Sequence, residues 1–116
     1  MTLVQIIQAQ GRIPVTVFQL QDRVNLGNYK ELEETARDAV EKGTRDLVID
    51  LSQTPSLTSI GIRALVVIHK LLTSPDGSVH FKLAGPSEPM REMLTIAGIA
   101  QFINIYDSVK EAVDSF

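Results

Sequence analysis

His69 and His80 are the only imidazoles in the chain, and cysteine is absent. The lack of cysteine removes disulfides, thiolate nucleophiles and cysteine-ligated metals together. The two histidines form no metal-ligand spacing with each other or with an acidic pair, so neither a metal centre nor a cofactor is expected. The glycines are scattered, with no Gly-x-Gly-x-x-Gly and no glycine-rich loop leading to a lysine that could cradle phosphate. Ser59 is followed two residues later by Gly61, but Leu57 stands where a nucleophile elbow has its first glycine. Without a histidine base for that serine, hydrolase chemistry is not supported, and the chain reads as a non-enzyme.

The chemistry that remains is that of a hydroxyl at the mouth of a helix. Thr58-Ser59 leads into a stretch to Leu72 that is nearly all apolar, interrupted by Arg63, His69 and Lys70. Arg63 and Lys70 are seven apart and share one helical face while the rest packs inward. A serine or threonine before such a helix is an N-cap by type. It is equally an acceptor that a partner can reach, because loops beyond the carboxyl ends of strands in an α/β sheet commonly carry function. A phosphate there would add about −1.5 to −2 charges beside the free N–H groups of the first turn. On residue types alone the pair reads first as a cap, and spacing by itself does not show phosphorylation.

The surrounding elements decide whether Ser59 lies in such a loop. Leu3 to Ala9 and Ile13 to Leu20 are two strand-like runs joined at Gly11-Arg12, as in a hairpin, with Pro14 calling for an edge or a bulge. Ile13, Val15 and Val17 lie on one face of the second run, Thr16, Phe18 and Leu20 on the other, which marks a central strand. Asn28 and Glu31 have capping-box spacing ahead of a helix on Tyr29, Leu32, Ala36, Ala39 and Val40, closed by Gly43. Its other face, with Glu33, Glu34, Arg37, Asp38 and Glu41, reads as solvated. Leu47 to Leu51, with Asp50 inside it, is a buried strand, and the Ser59 helix follows.

Ser74-Pro75-Asp76-Gly77 is a turn. Val79, Phe81 and Leu83 then alternate with His80 and Lys82 as a strand. Ser87 and Pro89 open a third helix lined by Met90, Met93, Leu94 and Ala97 and stopped by Gly98. Phe102 to Tyr106 is a last strand, and Ser108 with Glu111 caps a terminal helix. Strands alternating with helices give an α/β fold: a mixed sheet of four to five strands, the later ones parallel, with about four helices.

The bulk properties agree. The 116 residues suit one domain, 1–116, able to bury a core without staples. Net charge is −3 and the eleven basic residues never cluster, so nucleic acid is not expected as a partner. The longest unbroken apolar run, Ala64 to Ile68, is far short of the roughly 20 residues of a membrane span. Met1 to Gln10 lacks the basic and apolar regions of a signal peptide. The expectation is a soluble, cytoplasmic protein without direct membrane insertion and without the exposed seam of an obligate dimer.

Leu47-Val48-Ile49-Asp50-Leu51-Ser52, followed by Leu57-Thr58-Ser59-Ile60-Gly61-Ile62-Arg63-Ala64-Leu65, resembles the signature of the STAS domain. That domain occurs in anti-sigma factor antagonists and in the cytoplasmic tails of sulfate transporters. Members commonly read Asp-Ser-Ser-Gly-Leu-Gly here, and Thr58 to Arg63 is similar to the variant Ser-Ser-Ala-Gly-Leu-Arg. With the element order, the resemblance runs from about Val4 to Val113.

The resemblance implies a bacterial anti-sigma factor antagonist working by partner switching. Its partners would be an anti-sigma factor that is itself a serine kinase and a serine phosphatase that resets the switch. Ser59 falls on the family's phosphorylated serine, with Thr58 as a lesser candidate. The implied partner-binding set is Asn25, Thr58, Ser59, Ile60, Gly61, Ile62 and Arg63. Asn25 and Thr58 stand where the family often carries aspartate, so the local field here is less negative. Arg63, four residues on, is placed to pair with a phosphate on Ser59. The alternatives are a STAS scaffold or transporter-regulating subunit that is never phosphorylated and, less well supported, a small-molecule-binding protein or enzyme using the same loop.

Overall fold

The computed structural model describes residues 3–116. Strand β1 (Val4–Gln10) turns through Gly11 into β2 (Pro14–Leu20), and the two pair antiparallel with Val4 opposite Leu20 and Gln10 opposite Pro14. Helix α1 (Tyr29–Glu41), β3 (Leu47–Asp50), α2 (Ser59–Leu71), β4 (Phe81–Ala84), α3 (Glu88–Ile96), a 3-10 turn (Ile99–Gln101), β5 (Asn104–Tyr106) and α4 (Val109–Asp114) follow. The five strands lie in chain order, β1-β2-β3-β4-β5, and every pairing after the hairpin is parallel.

The two-sided apolar pattern of β2 has a direct consequence. Phe18 and Leu20 sit in the larger core with Leu32 and Ala36 of α1, Leu65 and Ile68 of α2, and Met90 and Leu94 of α3. Val15 and Val17 face the other way, with Val48 and Ala84, onto Ala112 and Val113 of α4. Crossovers of one hand that always step to the next strand keep their helices on one face of the sheet. That leaves the second face to α4.

Lys82 points to that second face and is 8% exposed. Its ammonium donates to Ser115 Oγ at 2.6 Å and lies 4.0 Å from the centre of the Phe116 ring and 5.5 Å from that of Tyr106. A buried cation needs partners, and here aromatic faces and a hydroxyl supply them. Asp50, 5% exposed, is provided for in the same way: it accepts the Ser52 N–H at 2.9 Å and Gln19 Nε2 at 3.3 Å.

Several local expectations change. The Asn28–Glu31 capping box does not form: Asn28 Oδ1 accepts from the Asn25 N–H, and Glu31 Oε2 accepts from the Leu3 N–H. Competition from these donors, one three residues before Asn28 and the other 28 residues before Glu31, takes both side chains away from the helix. Ile13 lies in the hairpin turn, 37% exposed, instead of in β2. Pro14 sits at the first position of an interior strand, a place its missing N–H allows. Ala97 is exposed, because α3 ends at Ile96 and Gly98 takes a left-handed φ of +83°. The last strand starts at Asn104, since residues 99–101 coil into the 3-10 turn and leave Phe102 42% exposed beyond it. The Ser108 cap holds, with Oγ accepting the Glu111 N–H at 3.1 Å.

Candidate functional site

The carboxyl end of β3 releases the chain into residues 51–58, and α2 begins at Ser59. The loop between β2 and α1 lies against this segment, because Val24 and Leu57 form a parallel bridge. Thr58, in an extended conformation (φ −88°, ψ 172°), is the N-cap. Its hydroxyl is used twice: it donates to the Val24 carbonyl at 2.9 Å and accepts the Gly61 N–H at 3.2 Å. The same side chain thus caps α2 and ties it to the neighbouring loop.

Ser59 is the first helical residue and is exposed, and its hydroxyl makes no hydrogen bond among the described residues. The residue types left Thr58 and Ser59 interchangeable as cap and free hydroxyl. The fold separates the roles. The N–H groups at the start of a helix have no intrahelical acceptor, and the first turn of α2 contains no acidic residue. The position therefore suits an added negative charge.

Gly61 shows how close the two segments come. A Cβ there would stand 3.1 Å from Val24 Cβ, 3.2 Å from Leu57 Cδ2 and 3.3 Å from the Val24 carbonyl oxygen. Two side chains and one backbone oxygen crowd the position, which favours a residue without a side chain. Gly61 is buried and Ile62 packs against the core, whereas Ile60 is half-buried and Arg63 exposed. Of the seven residues named from the sequence, Thr58, Ser59 and Arg63 are exposed, Asn25, Ile60 and Ile62 are half-buried, and Gly61 is buried. Gly61, and Ile62 through its packing on the core, anchor the exposed positions.

Asn25 organises its own loop. Its side chain accepts the Gly27 N–H at 2.8 Å, and its carbonyl accepts the N–H groups of Asn28 and Tyr29. Leu26, 73% exposed, is the residue that the sequence reading overlooked. With Tyr29, Glu33, Ile60, Arg63 and Val67 it lines a pocket of about 210 Å³ between α1 and α2, beside Ser59. An apolar residue set between Asn25 and Gly27, two residues that favour turns, was the available signal.

Neither histidine belongs to this site. His69 lies at the far end of α2, its ring 4.9 Å from that of Phe102, and burial followed by the Lys70 ammonium lowers its pKa. His80 Nδ1 is 2.9 Å from Asp46 Oδ1. Among the described residues, no three His, Asp or Glu side chains gather as metal ligands.

The fold is thus a mostly parallel sheet whose second helix opens on an exposed, uncommitted hydroxyl. The STAS domain model matches residues 6–112, and the chain belongs to that family. BtrV of Bordetella bronchiseptica, provisionally named an anti-sigma factor antagonist, is 29% identical over 97 residues, covering 84% of this chain and 82% of its own. A relative from Thermotoga maritima, provisionally given the same name, is 29% identical over 73 residues, 63% of each chain. A crystal structure of such a protein from that organism superimposes with a TM-score of 0.79 at 24% identity, over 87% of this chain and 86% of the other. The fold is also that of SpoIIAA from Bacillus in its phosphorylated form, with a TM-score of 0.69, 16% identity and 97% of each chain covered.

Proposed function

We propose that the chain is an anti-sigma factor antagonist that binds a kinase-type anti-sigma factor in the cytoplasm through the surface around Ser59. In this reading the unmodified domain holds the anti-sigma factor and so frees a sigma factor. Phosphorylation of Ser59 by that partner ends the complex, and a serine phosphatase restores it. The domain is a substrate and a binding module, not a catalyst.

One observation carries the proposal: the Ser59 hydroxyl is exposed and uncommitted, while Thr58 beside it supplies the cap. A phosphate on Ser59 would leave the fold's own hydrogen bonds intact. The helix dipole favours it by about 0.3–1 kcal/mol, so the free domain tolerates it. Like charge set against a partner surface costs on the order of several kcal/mol. Modification thus acts on the complex and spares the fold.

The test is binding of the cognate anti-sigma factor to wild type, Ser59→Ala and Ser59→Asp, with phosphopeptide mapping after incubation with the kinase. Ser59→Ala should bind like wild type, and Ser59→Asp should bind at least about tenfold more weakly, roughly 1.4 kcal/mol. Equal binding by both variants refutes the switch and leaves a scaffold. Phosphate on Thr58 alone refutes the choice of residue.

A further inference from the structure

β1 is an edge of the sheet, since the strand order ends there. Edge strands in natural proteins are commonly protected by charge, proline or a bulge. Val4-Gln5-Ile6-Ile7-Gln8-Ala9-Gln10 has no charge and no proline, and its seven residues pair with β2 without a break in register. Ile6 and Ile7 are 51% and 41% exposed, one on each face of the sheet.

The hairpin ends establish which backbone groups point outward. Leu3 C=O accepts the Gln21 N–H at 2.8 Å, and the Gly11 N–H donates to Ile13 C=O at 3.1 Å. In an antiparallel ladder the residues that exchange hydrogen bonds alternate with those that do not. Leu3, Gln5, Ile7, Ala9 and Gly11 therefore turn their N–H and C=O toward β2. Val4, Ile6, Gln8 and Gln10 turn theirs outward.

We infer that β1 pairs antiparallel with β1 of a second copy of this chain about a two-fold axis through Ile7, joining two sheets into one. In this register Ile6 faces Gln8 of the other copy and Val4 faces its Gln10. All four outward residues then exchange hydrogen bonds, about eight in total at two per facing pair. Moving the axis to Ile6 would leave Gln10 without a partner in β1. The chosen register also sets Ile7 against Ile7 in a non-hydrogen-bonded pair, with Cα atoms about 4.5 Å apart, covering an isoleucine that is now exposed.

A second copy fits for a physical reason: the strand is neutral, so the net charge of −3 per chain has no like-charged pair across the axis. A two-fold contact uses the edge in both copies and closes. One strand per copy falls below the standard interface size, so the dimer is a weak one that forms and parts. Ser59 follows β3, two strands in from this edge, and pairing at β1 leaves it uncovered. The inference stands apart from the phospho-switch, and either can fail alone.

The chain has no cysteine, so single-cysteine variants report the register directly. Under mild oxidation Ile7→Cys should give a covalent dimer, since its Cα separation lies within disulfide range. Ile6→Cys should give little, its counterpart being diagonal at about 7–8 Å. Sedimentation equilibrium from roughly micromolar to millimolar protein should show a monomer–dimer equilibrium. Ile7→Lys should raise its dissociation constant at least tenfold while urea unfolding shows the fold retained. A wild type that stays monomeric across that range, or a dimer that Ile6→Cys locks as well as Ile7→Cys, overturns the inference.

Discussion

Thr58 and Ser59 are adjacent hydroxyl residues that the fold treats differently, and truncating each separately measures the difference. Thr58→Ala removes the acceptor for the Gly61 N–H and the donor to the Val24 carbonyl, bonds of 3.2 and 2.9 Å. Loss of a threonine N-cap costs about 0.5–2 kcal/mol. The bond to Val24 is an ordinary neutral one, worth about 0.5–1.5 kcal/mol net. The Val24 carbonyl keeps only a long contact, 3.4 Å, from the Thr58 N–H. The two terms share one hydroxyl and do not simply add, so a total loss of about 1–2 kcal/mol is expected, a factor of about 5–30 in the folded-to-unfolded ratio. Thr58→Ser keeps the oxygen and should recover most of it. Ser59→Ala removes an exposed hydroxyl without a partner and should stay within about 0.5 kcal/mol of wild type. Urea unfolding followed by circular dichroism gives all four stabilities with a common m-value as the control. A Ser59→Ala loss as large as that of Thr58→Ala, or a neutral Thr58→Ala, would show that the division of roles between cap and free hydroxyl is wrong.

Gly61→Ala should destabilise the domain by about 1 kcal/mol in the same assay. The overpacking cost of about 1–3 kcal/mol outweighs the helix-propensity gain of at most about 1 kcal/mol, because two of the three close contacts are to fully buried Val24. His69 predicts a pH dependence. Its folded pKa lies below the ordinary value of 6.5, first through burial and then through Lys70. Above 6.5 the ring is neutral in both states and adds no slope. As pH falls below 6.5 the unfolded chain takes up the proton first, and stability is lost until the folded value is passed. Urea midpoints at about pH 5.5 and about pH 7.5 should differ less in His69→Gln than in wild type; an unchanged difference would assign the slope elsewhere.

The order of elements was legible because each segment buries apolar residues at the period of its own structure. β2 was the clearest case: apolar side chains on both faces require cover on both, and the structure supplies α1 and α2 on one and α4 on the other. Where the sequence misled, another group competed with the expected local rule. Asn28 and Glu31 have the spacing of a capping box, yet Asn25 and Leu3 offer them other backbone donors. The Leu3 donor lies 28 residues from Glu31, and no local pattern contains that competition. Lys82 is a similar case, since a lysine alternating with apolar residues in a strand normally reaches water. It is enclosed here because Ser115 and Phe116, 33 and more residues away, lie over it.

The candidate site combines both kinds of information. Thr58-Ser59 before an apolar helix was readable as a helix start, but the choice between two neighbouring hydroxyls was not, because either can cap a helix. The choice depends on Val24, 34 residues earlier, whose carbonyl lies within reach of Thr58 Oγ1. It depends also on Gly61, whose missing side chain lets that loop approach. Thr58 is therefore held from two sides, and the uncommitted position falls to Ser59. A regulatory group needs a residue that the fold can spare, one whose modification adds charge without withdrawing a structural bond. At this helix mouth Ser59 meets that condition and Thr58 does not, which is why Ser59→Asp should change binding while sparing the fold and Thr58→Ala should change stability.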